Sequence, residues 1–229
     1  MSKKKIIVFS GAGISAESGI KTFRDSGGLW EEYKIDDVAT PEAWKRNPTL
    51  VTEFYNLRRK QVMEAKPNDA HYFFAELQKK YDVQVITQNI DDLHERAGSR
   101  KVLHLHGEIM KVRSSIDENL IYPLKNWEVK MGDKCEKGSQ LRPHIVWFGE
   151  MVPSMDTAAE MVAYADYFIT VGTSLNVYPA AGLIELASAK IPKYLIDPGT
   201  FDLGHLSNLI HIQEKASSGV LQLRDAFSL

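Results

Sequence analysis

Five short runs of β-branched and other apolar residues stand out along the chain, at 5–9, 83–87, 167–171, 193–196 and 209–212, each bounded by turn formers. Their apolarity is continuous rather than alternating, which is what a strand covered on both faces requires, so they predict parallel strands inside a buried sheet. Between them, apolar positions recur at three- and four-residue steps over 48–65, 69–80, 155–165 and 179–190, predicting helices with one buried stripe. Strands that alternate with helices build βαβ units, and the expected fold class is α/β, a doubly wound Rossmann-like parallel sheet.

The stretch 110–142 breaks this rhythm. It carries Gly132, Gly138 and many lysines, with apolar residues only in short clusters around Ile121-Tyr122-Pro123-Leu124 and Trp127. A small inserted module with a hairpin, outside the sheet, is expected there, and 36–65 reads as a second insertion. The organisation predicted is one domain over 1–229, its large part formed by about 1–35, 66–109 and 143–229 and its small module by the two insertions.

Composition narrows the picture. A chain of 229 residues with 44% hydrophobic and 25% charged residues has enough apolar surface for an ordinary folded domain. The net charge of −2 gives no overall attraction to nucleic acid or anionic membrane. Lys3-Lys4-Lys5 resembles the start of a secretory leader, but the apolar run behind it is short and meets a glycine loop, so a cytoplasmic protein is expected. The single Cys135 excludes an internal disulfide and any four-cysteine metal site.

The candidate chemistry begins directly after the first strand, at Gly11-Ala12-Gly13-Ile14-Ser15-Ala16. This matches the glycine-rich turn that lets a pyrophosphate approach main-chain N–H groups at a helix start. A dehydrogenase would bring a second strand ending in an acid about 20 residues later, whereas Gly19-Ile20-Lys21-Thr22-Phe23-Arg24-Asp25 continues as loop. Thr87-Gln88-Asn89-Ile90-Asp91 ends another buried strand, where such folds bind ligands, although Asp91 or Asp92 could equally cap the following helix. His104 and His106 make an H-x-H pair that would suit a metal if an acid or third histidine completed it, and none is evident. Gly172-Thr173-Ser174 closes a further strand, with small and hydroxyl residues suited to a phosphate or ribose.

Taken in order, Gly11 to Ser15, Gly19, Phe23-Arg24-Asp25, Thr87 to Asp91, His106-Gly107, Gly172-Thr173-Ser174 and Asn176-Val177-Tyr178-Pro179-Ala180 resemble the sirtuin family over nearly the whole chain. The resemblance implies an NAD-dependent protein-lysine deacylase that releases nicotinamide, free lysine and O-acyl-ADP-ribose. It implies His106 as the general base acting with Asn89, a role that suits an imidazole because it is largely neutral near physiological pH. NAD contacts are implied for Gly11, Ala12, Gly13, Ser15, Glu17, Thr22, Phe23, Arg24, Gln88, Asn89, Asp91, His106, Gly172, Thr173, Ser174, Asp197 and Ala216. Phe23 would cover the reacting ribose. Asp197 stands where the family often carries Asn. Acyl-lysine proteins or peptides are the implied partners, with Val146-Trp147-Phe148-Gly149-Glu150 pairing to the peptide as an added strand and Tyr178 nearby. A monomer without nucleic-acid or membrane partners is expected.

Two features are particular to this chain. Tyr55 and Arg58 lie three residues apart on one predicted helix face, similar to the sirtuin branch that prefers succinyl-, malonyl- or glutaryl-lysine, since a guanidinium and a phenol together can hold a distal carboxylate. The family's two zinc-binding cysteine pairs are missing: Lys111 to Ile116 has no cysteine, and the second region retains only Cys135. A zinc-free module is expected, with Tyr122, Leu124 and Trp127 as substitute core. The competing readings are an NAD hydrolase or mono-ADP-ribosyltransferase using the same ribose site, and a silent NAD-sensing or acyl-peptide-binding module; a hydride-transferring dehydrogenase fits least.

Overall fold

The computed structural model describes residues 3–21 and 33–227. The chain enters a six-stranded parallel sheet at its middle with β1 (Lys5–Ser10) and builds to one side through β2 (Asp82–Thr87) and β3 (Val102–His104). It then leaves for a small antiparallel sheet of β4 (Gly107–Ser114), β5 (Ile121–Pro123) and β6 (Leu141–Ile145), in the order β5-β4-β6. On its return it crosses to the other side of β1 to add β7 (Tyr167–Val171), β8 (Lys193–Ile196) and β9 (Leu209–Ile212). The order β3-β2-β1-β7-β8-β9 reverses direction between β1 and β7, so a crevice opens beyond the C-terminal ends of these two strands.

Alternate residues of β1 serve opposite faces of the sheet, as the strand period dictates. Ile6 and Val8 pack with Phe73 and Phe74 of α5 (Asp69–Leu77) and Val220 of α9 (Ala216–Leu221). Ile7 and Phe9 pack with Ala158 and Val162 of α7 (Met155–Ala163) and with Leu183 and Ile184 of α8 (Leu183–Leu186). Helices thus cover both faces, and the continuous apolarity of the strands has its physical cause. A third core joins α4 (Pro48–Glu64) to the small sheet through Phe54, Tyr55, Ile109, Ile145 and Trp147.

Starts of helices follow local chemistry. Asn47 accepts the Leu50 N–H just ahead of Pro48, and Asn68 and His71 form a reciprocal cap at the start of α5. The shorter α1 (Gly13–Ala16), α2 (Ile35–Val38), α3 (Pro41–Arg46) and α6 (Leu93–Arg96) complete the helices named here.

Three expectations need correction. The helix predicted over 179–190 is a 3₁₀ turn (Ala180–Gly182) followed by α8 alone. Its apolar stripe is truly buried, but Ala187 turns extended, and the Ser188 carbonyl accepts the buried Lys193 ammonium at 2.7 Å instead of continuing a helix. Strand β3 went unpredicted because it has three half-buried residues at the sheet edge and no apolar run. The substitute core of the small module is also different: Trp127 is 38% exposed and Tyr122 and Leu124 are only half-buried, whereas Ile109, Val112 and Val129 are buried. The small sheet begins at Gly107 and runs to Ile145, a few residues beyond 110–142 at each end.

Candidate active site

The crevice opens into a cleft of about 1080 Å³ between the parallel sheet and the small module. Every candidate residue from the sequence that lies among the described residues lines it, from Gly11 to Ala216 and including Tyr55, Arg58, Val146 to Glu150 and Tyr178. Thr22, Phe23 and Arg24 lie outside the described residues.

The floor is made where two loops touch. The Gly13 N–H donates to the Gly172 carbonyl at 2.8 Å, and a Cβ on Gly172 would come within 2.2 Å of the Ile14 nitrogen. Gly172 also has φ +61°, so both conformation and space demand glycine. A Cβ on Gly11 or Gly13 would likewise strike Gly172 or Thr173. These glycines let the β1 and β7 loops pack against each other, which shapes the floor before any ligand arrives.

At the end of β2 the polar groups are tied together. The Asn89 amide donates to the Gly11 carbonyl and to Ser15 Oγ, both at 3.1 Å, leaving its Oδ1 as the group available to a ligand. Ser15 Oγ donates to Asp91 Oδ2 at 3.0 Å, while Asp91 Oδ1 accepts the Leu93 N–H at 3.2 Å. Asp91 thus accepts the first N–H of α6 from the position before its N-cap, Asp92, and also lines the cleft. Burial pushes its carboxyl above the usual range, partly offset by these hydrogen bonds. Gln88 Nε2 donates to Thr173 Oγ1 at 3.0 Å, linking the two strand ends across the floor.

His106 sits above this floor. Its Nδ1–H donates to the Gln88 carbonyl at 3.0 Å, since a carbonyl can only accept. Nε2 is then the lone-pair nitrogen of the neutral ring. Burial lowers the His106 pKa from the ordinary histidine value, and the Gln88 carbonyl offsets this only in part. Gly107 beside it has φ +85°, and a Cβ there would meet the His144 carbonyl at 2.1 Å. His104 does not share a metal with His106. Its Nδ1 donates to the Asn89 carbonyl at 2.9 Å and its Nε2 faces Glu95 Oε1 at 2.8 Å. Burial opposes its protonation, but the Glu95 carboxylate outweighs that and raises its pKa. Among the described residues no group of three or more His, Cys, Asp or Glu is placed to hold a metal ion.

Other residues have double duties that sequence reasoning missed. Glu17 lines the cleft, and its Oε2 accepts the Ser217 N–H at the start of α9. Asp197 Oδ1 accepts the Gly199 N–H at 2.8 Å and so shapes its own turn. Across 146–150, the N–H groups of Val146, Trp147, Phe148 and Glu150 are engaged by His106 O, Glu150 Oε2, Ala39 O and Trp147 O. A peptide strand laid here must therefore bond largely through carbonyl groups. Glu150 is held by Arg142 at 2.9 Å and Arg113 at 3.4 Å, making it a strut of the wall. No local motif signals the pairs Glu17–Ser217 and Arg113–Glu150, because each joins residues from separate elements.

Beside the segment 146–150, α4 presents Tyr55 and Arg58 to the cleft. The Trp147 Nε1–H donates to the Tyr55 hydroxyl at 3.0 Å, and burial pushes the Tyr55 pKa up to about 12. Burial lowers the Arg58 pKa, with Tyr55 and Asp91 opposing the shift.

A doubly wound parallel sheet with a glycine floor at its switch point defines a Rossmann-type dinucleotide-binding protein. The Sir2 family model matches residues 11–179, and the chain belongs to the Sir2 family. Among its relatives, an NAD-dependent protein deacylase of Bacteroides thetaiotaomicron is 56% identical over 227 residues, spanning 96% of this chain and 97% of that protein. An NAD-dependent protein deacylase of Helicobacter pylori is 53% identical over 215 residues, spanning 93% of each. A Sir2 homolog solved in complex with NAD superposes with a TM-score of 0.87 at 39% identity, covering 98% of this chain and 91% of that one. A Sir2 solved with a deacetylated peptide and 3′-O-acetyl ADP-ribose superposes with a TM-score of 0.80 at 29% identity, covering 98% and 94%.

Proposed function

We propose that this protein is an NAD-dependent protein-lysine deacylase that removes acidic acyl groups, succinyl and malonyl, at least as well as acetyl. The deacylase activity is supported by the family and by the names of its relatives. The acyl preference is carried by one observation: Tyr55 and Arg58, three residues apart on α4, both line the cleft that His106 also lines.

NAD fits the residues present. The cleft has dinucleotide size, its floor is a glycine cradle at a helix start, and the buried polar residues Asn89, Asp91 and Thr173 line it. Bound there, NAD supplies an activated ribose that accepts the acyl group. The protein's own part is positional and electrostatic. Gly11, Ala12, Gly13 and Ser15, with Gly172, Thr173 and Ser174, hold the phosphates and adenosine side, and Glu17, Asp197 and Ala216 bound that end. Gln88, Asn89 and Asp91 orient the nicotinamide ribose, with Phe23 assigned to cover it, Arg24 to support the phosphates or the reacting ribose and Thr22 to contact NAD. His106 takes a ribose hydroxyl proton on Nε2, while the Gln88 carbonyl fixes the tautomer. Val146 to Glu150 and Tyr178 receive the peptide, and Arg58 with Tyr55 binds a distal carboxylate by charge-assisted hydrogen bonds. The enzyme works without structural zinc, as a cytoplasmic monomer on acylated proteins or peptides, with no nucleic-acid partner. No described helix is long and apolar enough to cross a membrane.

The test compares NAD-dependent desuccinylation and deacetylation of one peptide by wild type and Arg58→Met. The succinyl-to-acetyl ratio of kcat/KM is expected to fall about tenfold to a hundredfold, the worth of a charge-assisted pair. Equal loss of both activities overturns the acyl preference, and no O-acyl-ADP-ribose with any acyl peptide overturns the deacylase itself in favour of NAD hydrolysis.

A further inference from the structure

Tyr55 contributes a hydroxyl to the cleft wall, yet a hydroxyl can turn either its proton or its lone pairs outward, and only the proton serves a carboxylate. The neighbour that decides this is Trp147. An indole N–H donates and never accepts, so the 3.0 Å contact from Trp147 Nε1 engages the Tyr55 oxygen as acceptor. The phenolic proton must then point away from the indole, and among the described residues the Tyr55 hydroxyl donates to no acceptor. Burial keeps that phenol protonated at any working pH.

Trp147 is itself held rigidly. Its main-chain N–H donates to Glu150 Oε2 at 2.8 Å, and the Arg142 guanidinium lies 3.4 Å from the centre of its ring. Arg142 in turn grips both Glu150 oxygens, at 2.9 and 3.2 Å. The Trp44 ring packs on the indole with centroids 5.9 Å apart. The indole N–H is thus aimed by residues of strand β6 and α3, Arg142 and Trp44.

We propose that Trp147 is a specificity-determining positioning residue: by donating to the Tyr55 oxygen it turns the Tyr55 proton into the cleft as a fixed donor for the distal carboxylate of an acidic acyl-lysine. This rests on the acidic-acyl reading of Tyr55 and Arg58. An acetyl group has no distal oxygen, so the contribution of Trp147 through this route is selective for succinyl and malonyl.

The experiment measures kcat and KM for succinyl and acetyl forms of one peptide with the full-length enzyme. Trp147→Phe, and in parallel replacement of Trp147 by benzothienylalanine, which keeps the bicyclic shape and lacks the N–H, are each placed in wild-type and Tyr55→Phe backgrounds. In the wild-type background the succinyl-to-acetyl kcat/KM ratio is expected to fall about fivefold to tenfold, with the change in KM for the succinyl peptide. In the Tyr55→Phe background the same replacements leave the ratio where it stands, because the hydroxyl they act through is gone. Equal losses on both peptides, or a ratio change that persists without the Tyr55 hydroxyl, overturn the proposal. If Arg58→Met lowers the ratio while benzothienylalanine does not, the inference fails alone; if Arg58→Met leaves the ratio unchanged, the acyl reading falls and the inference with it.

Discussion

The imidazole of His106 and the main-chain carbonyl of Gln88 are joined by a 3.0 Å hydrogen bond that leaves Nε2 as the basic nitrogen of the ring. Because Gln88 also bonds Thr173 through its side chain, one residue sets both the tautomer of His106 and a link between the two strand ends. His106, the general base proposed above, and the glycine floor are therefore joined through one residue.

This unit makes a pH prediction. Burial holds the His106 pKa below the ordinary value of 6.5. The neutral ring is the active form, so kcat/KM should stay level as pH falls to 6.5 and decline only as pH passes through the lowered pKa. A pH–rate profile of deacylation checks this, and an acid limb centred above 6.5 would contradict it. His106→Ala should remove the limb along with nearly all activity, a loss of at least about a hundredfold.

The contact between loops makes a second. In Gly172→Ala the new methyl would lie 2.2 Å from the Ile14 nitrogen and 2.6 Å from the Gly13 carbonyl carbon, both main-chain atoms that cannot swing aside. The β1 loop must shift, and a displacement of that size at a positioning element raises KM for NAD by about tenfold or more. Isothermal titration with NAD measures this directly; unchanged affinity in a folded variant would show that the floor tolerates the shift.

The way α4 divides its residues leads to a third. Arg59 is fully buried and donates to the Ile109 carbonyl at 3.0 Å and the Trp127 carbonyl at 2.8 Å, while Asn56 exchanges two bonds with the Val129 main chain at 2.9 and 3.0 Å. Arg59 also donates to Asn56 Oδ1. This polar clamp fastens the small-sheet segment to the helix, and we propose that it stands in for the zinc. Arg59→Met should cost about 2 kcal/mol in urea unfolding, since it strands two buried carbonyls while also removing a buried charge. Wild-type melting should be indifferent to EDTA, and purified protein should hold no stoichiometric zinc; a chelator-sensitive Tm would show that a metal shares the work.

The same helix shows what a sequence can and cannot convey. Tyr55 and Arg58 were legible as a pair because three-residue spacing puts them on one side, and that side does face the cleft. Asn56 and Arg59 have the same spacing one position along, yet nothing local says that they reach into another module, because their partners are main-chain carbonyls some 50 to 73 residues away. The glycine floor, the strand-end amides and His106-Gly107 were legible for a related reason: each is a short motif of telling residue types in one turn, although its contacts reach other loops. The aim of the Trp147 indole, the Glu150 strut and edge strand β3 depend on contacts between distant segments, and periodicity alone contains no record of them.

The buried pair His71 and His94 carries the last prediction. The Asn68 N–H lies 3.3 Å from His71 Nδ1, which in the neutral Nε2–H ring accepts it and closes the cap of α5, while Asn68 Oδ1 lies 3.1 Å from the same Nδ1. Protonating Nδ1 would break that cap and place a charge at a site with no exposure, and His94 packs edge-on against it with ring centres 5.0 Å apart. Burial accordingly depresses His71 to about 4 and His94 well below 6.5, where the nearby His71 adds to the effect. Unfolded histidines take up protons near 6.5 while these native ones do not, so the unfolded state binds more protons between those values and stability falls with pH through that window. The contribution of these two histidines should be level above pH 6.5, where His104 with its raised pKa loses some stabilisation as pH rises, and should drop by about 3 kcal/mol from His71 alone on going down to about pH 4, at 1.36 kcal/mol per unit. Urea titrations at pH 7.5, 6, 5 and 4.5 read this slope, and His71→Asn, which can still accept at the cap, should flatten it. A slope unchanged by that substitution would mean that His71 already shares a proton in the native state.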